Sequence, residues 1–180
     1  MKTIYIAILT ILFSACATFK PQYKTDAVLN TYPKHKKIAH TFYLIGDAGN
    51  SARGETAKAL QAFKNVLHNA EENSTALFLG DNIYPEGLPD KKNDNYKLYK
   101  HRLEAQIEVA KDFKGRSIFI AGNHDWYSGL KGLKAQAKMV EKTLGKTHFL
   151  PKAGCPIDNI HISDDLEPVS YTHLTLPTIA

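Results

Sequence analysis

Three short segments of the sequence each place an oxygen-bearing side chain directly after a glycine. Residues 46–49 read GDAG, residues 80–84 read GDNIY, and residues 122–125 read GNHD. Two carboxylates and an amide oxygen are hard ligands that suit a di- or trivalent metal ion. Without a metal, two adjacent carboxylates would repel each other. One Gly-Asp pair is typical of a simple turn, but three such segments together predict a metal site.

Each of the three segments follows a short apolar run with the character of a buried strand. These runs cover residues 41–45, 76–79 and 117–121. Apolar residues at helical spacing predict helices over residues 54–72, 96–113 and 130–144. The order is therefore β-α-β-α-β-α.

The spacing of the segments predicts how the strands are connected. The candidate ligand of the first segment precedes that of the second by 34 residues (81 − 47), and the next step is 42 residues (123 − 81). Both steps suit a crossover between parallel strands. We therefore expect an α/β fold with a parallel sheet covered by helices on both faces. Crossovers of one hand would bring all three segments to the same edge of the sheet.

The segments resemble the calcineurin-like metallophosphoesterase superfamily, and within it the purple acid phosphatase branch, which includes the tartrate-resistant acid phosphatases. The superfamily usually has Asp-x-His in its first loop, and that histidine is absent after Asp47. Tyr84 lies three residues after Asp81, which gives the Gly-Asp-x-x-Tyr pattern of the branch. The resemblance covers roughly residues 41–166. It implies the parallel-sheet half of a four-layer α/β/β/α sandwich, with the second half missing.

The resemblance also implies a set of metal ligands. Asp47 would bind the first metal ion, and Asp81 would bridge both ions. Tyr84 would bind the first ion as a phenolate, which favours Fe(III) there, although this residue could also be only an aromatic side chain at the rim. Asn123 would bind the second ion, which would be Fe(II), Zn or Mn.

Two further residues receive roles from the resemblance. His124 would contact the substrate, where it would steady the phosphoryl oxygens or protonate the leaving group, and Asp125 would support the loop. The implied reaction is hydrolysis of small phosphomonoesters. A phosphodiesterase or nucleotide pyrophosphatase with the same centre is an alternative. A binding or scaffold lipoprotein that keeps the fold without the activity is another.

Residues next to the first and third segments have two interpretations each. Asn50 and Arg53 could contact substrate, but they are more typical of residues that cap the following helix. Trp126 and Tyr127 could form a wall of the pocket or simply pack in the core.

The N-terminal residues have the pattern of an export signal. Residues 1–16 combine a positive start, an apolar run too short to span a bilayer, and small residues directly before Cys16. This pattern resembles a bacterial lipoprotein cleavage site, so we expect a lipid on Cys16 and an anchor in the cell envelope, in the periplasm or at the surface. An ordinary signal peptide with a chance cysteine is the alternative. Residues 17–39 would form a tether, and Cys155 would then lack an intrachain partner.

The composition argues against nucleic acid as a partner. The formal net charge is +5, with lysines scattered along the chain rather than clustered in a basic stripe. A phosphate-bearing small molecule suits this balance better.

The C-terminal part lacks features that the resemblance leads us to expect. The branch continues with histidine loops that include Gly-His-x-His, and this motif is absent. His148, His161 and His173 lack that context, so they are interpreted as surface or packing residues. Residues 167–180 resemble a translated sequencing adapter. We therefore expect a partial metallophosphoesterase domain at residues 40–166 and a non-native tail after it.

Overall fold

The computed structural model describes residues 37–151, 158–159, 161 and 169–170. The compact unit that contains all of these residues except Lys37 begins at Ile38. Helices and strands alternate along it, which confirms the predicted α/β class. The strands are β1 Thr41–Ile45, β2 Ser74–Phe78, β3 Arg116–Ile120, β4 Phe149–Leu150, β5 Asp158–Asn159 and β6 Val169–Ser170. The helices are α1 Lys58–His68, α2 Tyr96–Ala110, α3 Asn123–Trp126 and α4 Gly129–Leu144.

The main sheet has four parallel strands in the order β1-β2-β3-β4. Its register pairs Ile45 with Phe78, Phe78 with Phe119, and Ile120 with Leu150. The strands therefore end nearly level with one another, and the segment after each strand begins at the same edge. The strands β5 and β6 form a separate antiparallel pair.

The helices of the described chain pack on one face of the main sheet. Side chains alternate between the two faces of a strand, so residues two positions apart on one strand lie on the same face of the sheet. Alternate positions of the four strands share a single cluster with the buried faces of α1, α2 and α4. Its strand members are Tyr43, Ile45, Ala76, Phe78, Phe119 and Phe149, with Ala121 directly after β3, and its helix members include Leu60, Leu67, Leu103 and Val140.

Aromatic rings form the centre of this cluster. The rings of Phe78 and Phe119 stack with centroids 4.0 Å apart, and Phe63 meets Phe78 edge-on at 5.7 Å. Large rings in direct contact contribute strongly to core stability, so the centre of the sheet is fixed firmly against α1. The same strands carry the metal-site segments at their carboxyl ends.

The opposite face of the sheet has a different environment. Ile118 and Leu150 are buried there in a second, smaller cluster, but Leu44 is 58% exposed and Leu79 is 48% exposed. The expectation that helices cover both faces is therefore wrong for the described part of the chain. A sequential strand order with crossovers of one hand places every connecting helix on the same face.

The first helix is shorter than predicted, and it begins at Lys58 rather than near residue 54. Neither Asn50 nor Arg53 caps it. Instead, the Ser51 hydroxyl accepts a hydrogen bond from the N–H of Ala57 at 3.2 Å. The capping expectation was wrong because a turn precedes the helix, with Glu55 N–H donating to the carbonyl of Ala52 at 3.1 Å.

The predictions for Cys16, for the export signal and for Cys155 and His173 fall outside the described residues. In the part of the chain that the structure describes, none of the helices combines the length and the apolar character that crossing a bilayer requires.

Candidate metal centre

The loops after β1, β2 and β3 meet at the carboxyl edge of the sheet. Gly49 exchanges backbone hydrogen bonds with the second loop, donating to the carbonyl of Asp81 at 3.1 Å and accepting from Tyr84 at 3.0 Å. The N–H of His124 in the third loop donates to Oδ1 of Asp81 at 3.1 Å. Asp81 therefore lies between the first and third loops and contacts both.

Three of the predicted ligands form a cluster of oxygen atoms. The hydroxyl of Tyr84 lies 2.5 Å from Oδ1 of Asp47 and 3.0 Å from Oδ2 of Asp81. A phenol has one proton to donate, so it can satisfy only one of these carboxylates at a time. The hydrogen bond to Asp47, followed by partial burial and the proximity of Asp81, raises the pKa of Tyr84 well above its ordinary value.

The backbone at both aspartates is unusual. Asp47 has φ of 54° and Asp81 has φ of 52°, which is the left-handed region that residues other than glycine rarely adopt. Gly46 is not among the residues with positive φ, so Asp47 itself makes the turn into the first loop. Such strained residues concentrate at functional sites, where the surrounding structure holds them in place.

Gly122 is required because the second and third loops pack closely together at this residue. A Cβ atom on this residue would lie 2.2 Å from Oδ1 of Asp81 and 2.3 Å from its backbone nitrogen. Gly80 faces Gly122 just as closely, since its Cβ would lie 2.7 Å from the Gly122 Cα. Any larger side chain at Gly122 would therefore push Asp81 away from Asp47 and Tyr84.

Asp125 connects the third loop to the second through its buried side chain. Its buried carboxylate accepts four hydrogen bonds, from the N–H groups of Gly122 (2.9 Å), Asn82 (3.1 Å) and Ile83 (3.1 Å) and from Nδ2 of Asn82 (3.0 Å). Burial raises the pKa of Asp125 to about 6, although all four N–H groups act in the opposite direction.

The helix α2 supports the first two loops with two polar side chains. Arg102 donates to the carbonyl of Tyr84 at 2.7 Å and to that of Ser51 at 3.2 Å, while Gln106 donates to the carbonyl of Asn82 at 2.6 Å. We did not predict these contacts. The signal was present, because a polar pair at i and i+4 interrupts the otherwise apolar buried face of this helix.

His124 is held between two tyrosines. Its ring centroid lies 4.4 Å from that of Tyr84 and 4.9 Å from that of Tyr127. Its Nδ1 lies 2.5 Å from the carbonyl oxygen of Pro85. Because a carbonyl oxygen can only accept, Nδ1 must carry a proton, and Nε2 remains for a ligand.

The three remaining candidates of the third loop, Asn123, Trp126 and Tyr127, lie in different environments. The amide of Asn123 donates to the hydroxyl of Tyr127 at 3.0 Å, and within the described chain no hydrogen bond joins it to Asp47 or Asp81. Tyr127 is 63% exposed and belongs to the rim, whereas Trp126 packs against the main core cluster. The two interpretations proposed for this aromatic pair therefore apply to one residue each.

The oxygen cluster fits a hard cation. Metal–oxygen bonds of about 2.0–2.1 Å in octahedral geometry put neighbouring ligand oxygens about 2.9 Å apart. The observed separations of 2.5 Å and 3.0 Å around Tyr84 are close to that value. In the described ranges, no group of three or more His, Cys, Asp or Glu side chains is placed to hold a metal ion. The candidate set therefore depends on Tyr84 in addition to the carboxylates.

Residues 40–170 match the calcineurin-like phosphoesterase family. Because this match spans more than half of the sequence, the chain belongs to the calcineurin-like phosphoesterase family. The family carries out metal-dependent hydrolysis of phosphate esters and generally uses two metal ions. A comparison with curated proteins finds no significant match.

Gly46 and Gly122, which precede the candidate ligands of the first and third segments, provide a matched test of this close packing. In Gly122→Ala the new methyl group collides with Asp81, so we expect a loss of about 1–3 kcal/mol in the free energy of unfolding. We also expect Mn²⁺ to bind roughly 10–100-fold more weakly. Gly46→Ala should change neither quantity, because its Cβ would meet no atom closer than 3.9 Å. Urea unfolding and calorimetric Mn²⁺ titration measure both, and equal effects of the two substitutions would contradict the packing argument.

Proposed function

We propose that this protein is a phosphomonoesterase of the purple acid phosphatase type. In this proposal Asp47, Asp81, Tyr84 and Asn123 hold two metal ions, and His124 contacts the substrate. The observation that carries the proposal is the position of the Tyr84 hydroxyl within 3.0 Å of both aspartate carboxylates.

The charge around Tyr84 favours a trivalent ion. Loss of the phenolic proton would place a negative oxygen within 3.0 Å of both aspartate carboxylates. Like charges at this separation resist ionisation unless a cation offsets them. A phenolate at this position therefore favours Fe(III) next to Asp47 and Tyr84. Asp81, which lies between the loops, would then bridge to a second ion of Fe(II), Zn or Mn held by Asn123.

The bound ions would supply Lewis-acid activation of water and of the phosphate oxygens. The residues of the chain would position these ions and leave a path for the substrate. Asp47 and Asn123 are exposed at the edge of the sheet, so a small phosphate ester can reach the centre directly from solvent. Asp125 and Arg102 fix the loops from the protein side and leave the solvent side for the substrate.

The hydrogen bond of His124 determines what its ring can do. With Nδ1–H donating to Pro85, the neutral ring can only accept at Nε2. Donation from Nε2 to a phosphoryl oxygen or to a leaving group therefore requires the doubly protonated ring.

Export and lipid anchoring through Cys16 are part of the same proposal, supported by the apolar run at residues 4–13 and the small residues before Cys16. Expression of Cys16→Ser in a bacterium should move the protein from the membrane fraction to the soluble fraction. An ordinary signal peptide predicts no difference between the two proteins, so an unchanged distribution would remove the lipid anchor from the proposal.

Visible absorption spectroscopy tests whether Tyr84 binds iron. The protein loaded with iron should show a visible charge-transfer band from the phenolate, and Tyr84→Phe should abolish it. Tyr127→Phe is the matched control, because Tyr127 lies at the rim and, in the described chain, its hydroxyl is hydrogen-bonded to Asn123 and to neither aspartate. A colourless protein that is fully active would exclude Fe(III) at Tyr84.

Substitution of His124 tests whether this residue contacts the substrate or binds a metal ion. We expect His124→Asn to keep its metal content while p-nitrophenyl phosphate hydrolysis falls by about 10²–10⁴-fold, the usual contribution of a positioned acid–base group. His68→Asn, an exposed histidine at the end of α1, should retain full activity. Loss of metal from His124→Asn would instead make His124 a ligand. Faster hydrolysis of bis(p-nitrophenyl) phosphate by the unmodified protein would favour the phosphodiesterase alternative.

A further inference from the structure

A second cleft lies at the amino end of the sheet, opposite the metal centre. It has a volume of about 520 Å³ and is built mostly from residues near the first positions of β1 to β4. It is therefore formed by the same strands as the metal centre but at their other ends. Its lining side chains are mostly polar or cationic, and they include His40, Thr75, Lys114, Arg116, His148 and His161.

The charge of this amino-end cleft favours an anion. Lys114 and Arg116 are permanently cationic near neutral pH, and Glu72 is the single carboxylate among the lining residues. Repulsion from the two cations would oppose a metal ion here. The described residues also contain no set of three His, Cys, Asp or Glu side chains arranged around a common point for a metal.

Arg116 is already oriented by the fold. Its Nη2 donates to the hydroxyl of Thr147 at 3.0 Å and to the carbonyl of the same residue at 3.3 Å. A guanidinium group has five N–H donors in a fixed plane, so most of them remain for a ligand. A planar, pre-oriented fork of this kind matches the oxygens of a phosphate group.

Two histidines of the cleft are also held in place. Nε2 of His40 lies 2.9 Å from the hydroxyl of Thr75, and Nδ1 of His148 is hydrogen-bonded to the carbonyl of Ser117. Both side chains are half-buried. Because the carbonyl can only accept, the proton of His148 lies on Nδ1, and Nε2 remains for a ligand. In the neutral ring that Nε2 can only accept a hydrogen bond, so Lys114 and Arg116 supply the donors for a phosphate oxygen. Because Arg116 is already oriented, little of its side-chain entropy would be lost when a ligand binds.

We propose that the amino-end cleft binds a phosphate group through Lys114 and Arg116, with His40 and His148 completing the polar wall. The phosphate could belong to a soluble phosphoryl compound or to a phospholipid headgroup. The second source is considered because the proposed lipid anchor, Cys16, lies on the same chain and precedes His40 in the sequence. This inference does not depend on the catalytic assignment, since the cleft shares no residue with the metal centre.

The first experiment is a titration of the isotope-labelled full chain with inorganic phosphate, followed by amide NMR. We expect saturable shifts at Thr75, Gly115 and Arg116. Asp81→Asn in the same chain should leave these shifts unchanged, because Asp81 lies at the other edge. Failure of the catalytic proposal would therefore not alter this result.

Charge variants identify the residues that bind. Arg116→Gln should weaken phosphate binding about tenfold, as expected for loss of a charged hydrogen bond. Arg116→Lys should recover part of the affinity and shows whether the fold tolerates a change at this position. Lys114→Gln should also weaken binding, whereas Lys64→Gln, the same change of charge on the exposed side of α1, should not.

The second experiment distinguishes the two sources of phosphate, using Cys16→Ser so that no lipid anchor contributes. Stronger binding to phosphatidylglycerol vesicles than to phosphatidylcholine vesicles, lost in Arg116→Gln, would identify a headgroup. Binding of inorganic phosphate with no difference between the vesicles would identify a soluble compound.

Three results would overturn the proposal. Phosphate shifts confined to the loops of the metal centre would show that the cleft does not bind. Equal weakening by Lys64→Gln and Arg116→Gln would show that only the net charge matters. Saturable shifts of His40 and His148 with Zn²⁺ but none with phosphate would show a metal site instead.

Discussion

The geometry of the metal centre depends on one buried carboxylate. Asp125 is fully excluded from solvent, and a carboxylate in that position is stable only if donors surround it. Three backbone N–H groups and one side-chain amide from the second and third loops meet this need. The same bonds fix the distance between the two loops. The close contact of Gly122 with Asp81 then follows, since the loops are held too near each other for any larger residue.

The supports of the site come from the helical side of the sheet. Arg102 holds carbonyl oxygens of the first two loops, and Gln106 holds a third carbonyl in the second loop. All described helices pack on this face, so the loops are held from one side and exposed on the other. The strained backbone at Asp47 and Asp81 is consistent with this arrangement, because such conformations persist only where neighbouring groups hold them. A single layer of helices therefore stabilises the fold and also positions the ligands.

Strands with strong apolar runs could be predicted from the sequence, and features that depend on tertiary contacts could not. The first strand was predicted at its observed bounds, and the next two within two residues. The strand β4 was missed because two residues carry no periodic pattern. The left-handed backbone at Asp47 was not predicted either, because such a conformation depends on the neighbouring groups that hold the loop in place. The helix pattern marks Arg102 only as a polar residue on a buried face. Its partners are carbonyl groups 18 and 51 residues away, and the sequence does not identify them.

The two ends of the sheet carry charge of opposite sign, and this has a consequence for phosphate recognition. At the carboxyl edge, Asp47 and Asp81 lie close together and would repel a phosphate ester in the absence of cations. At the amino edge, Lys114 and Arg116 attract anions without any cofactor. Two bound metal ions would reverse the sign at the carboxyl edge, because their charge exceeds that of the two carboxylates. Metal loading would therefore control whether phosphate compounds reach the catalytic edge, while the amino edge would attract them in either state.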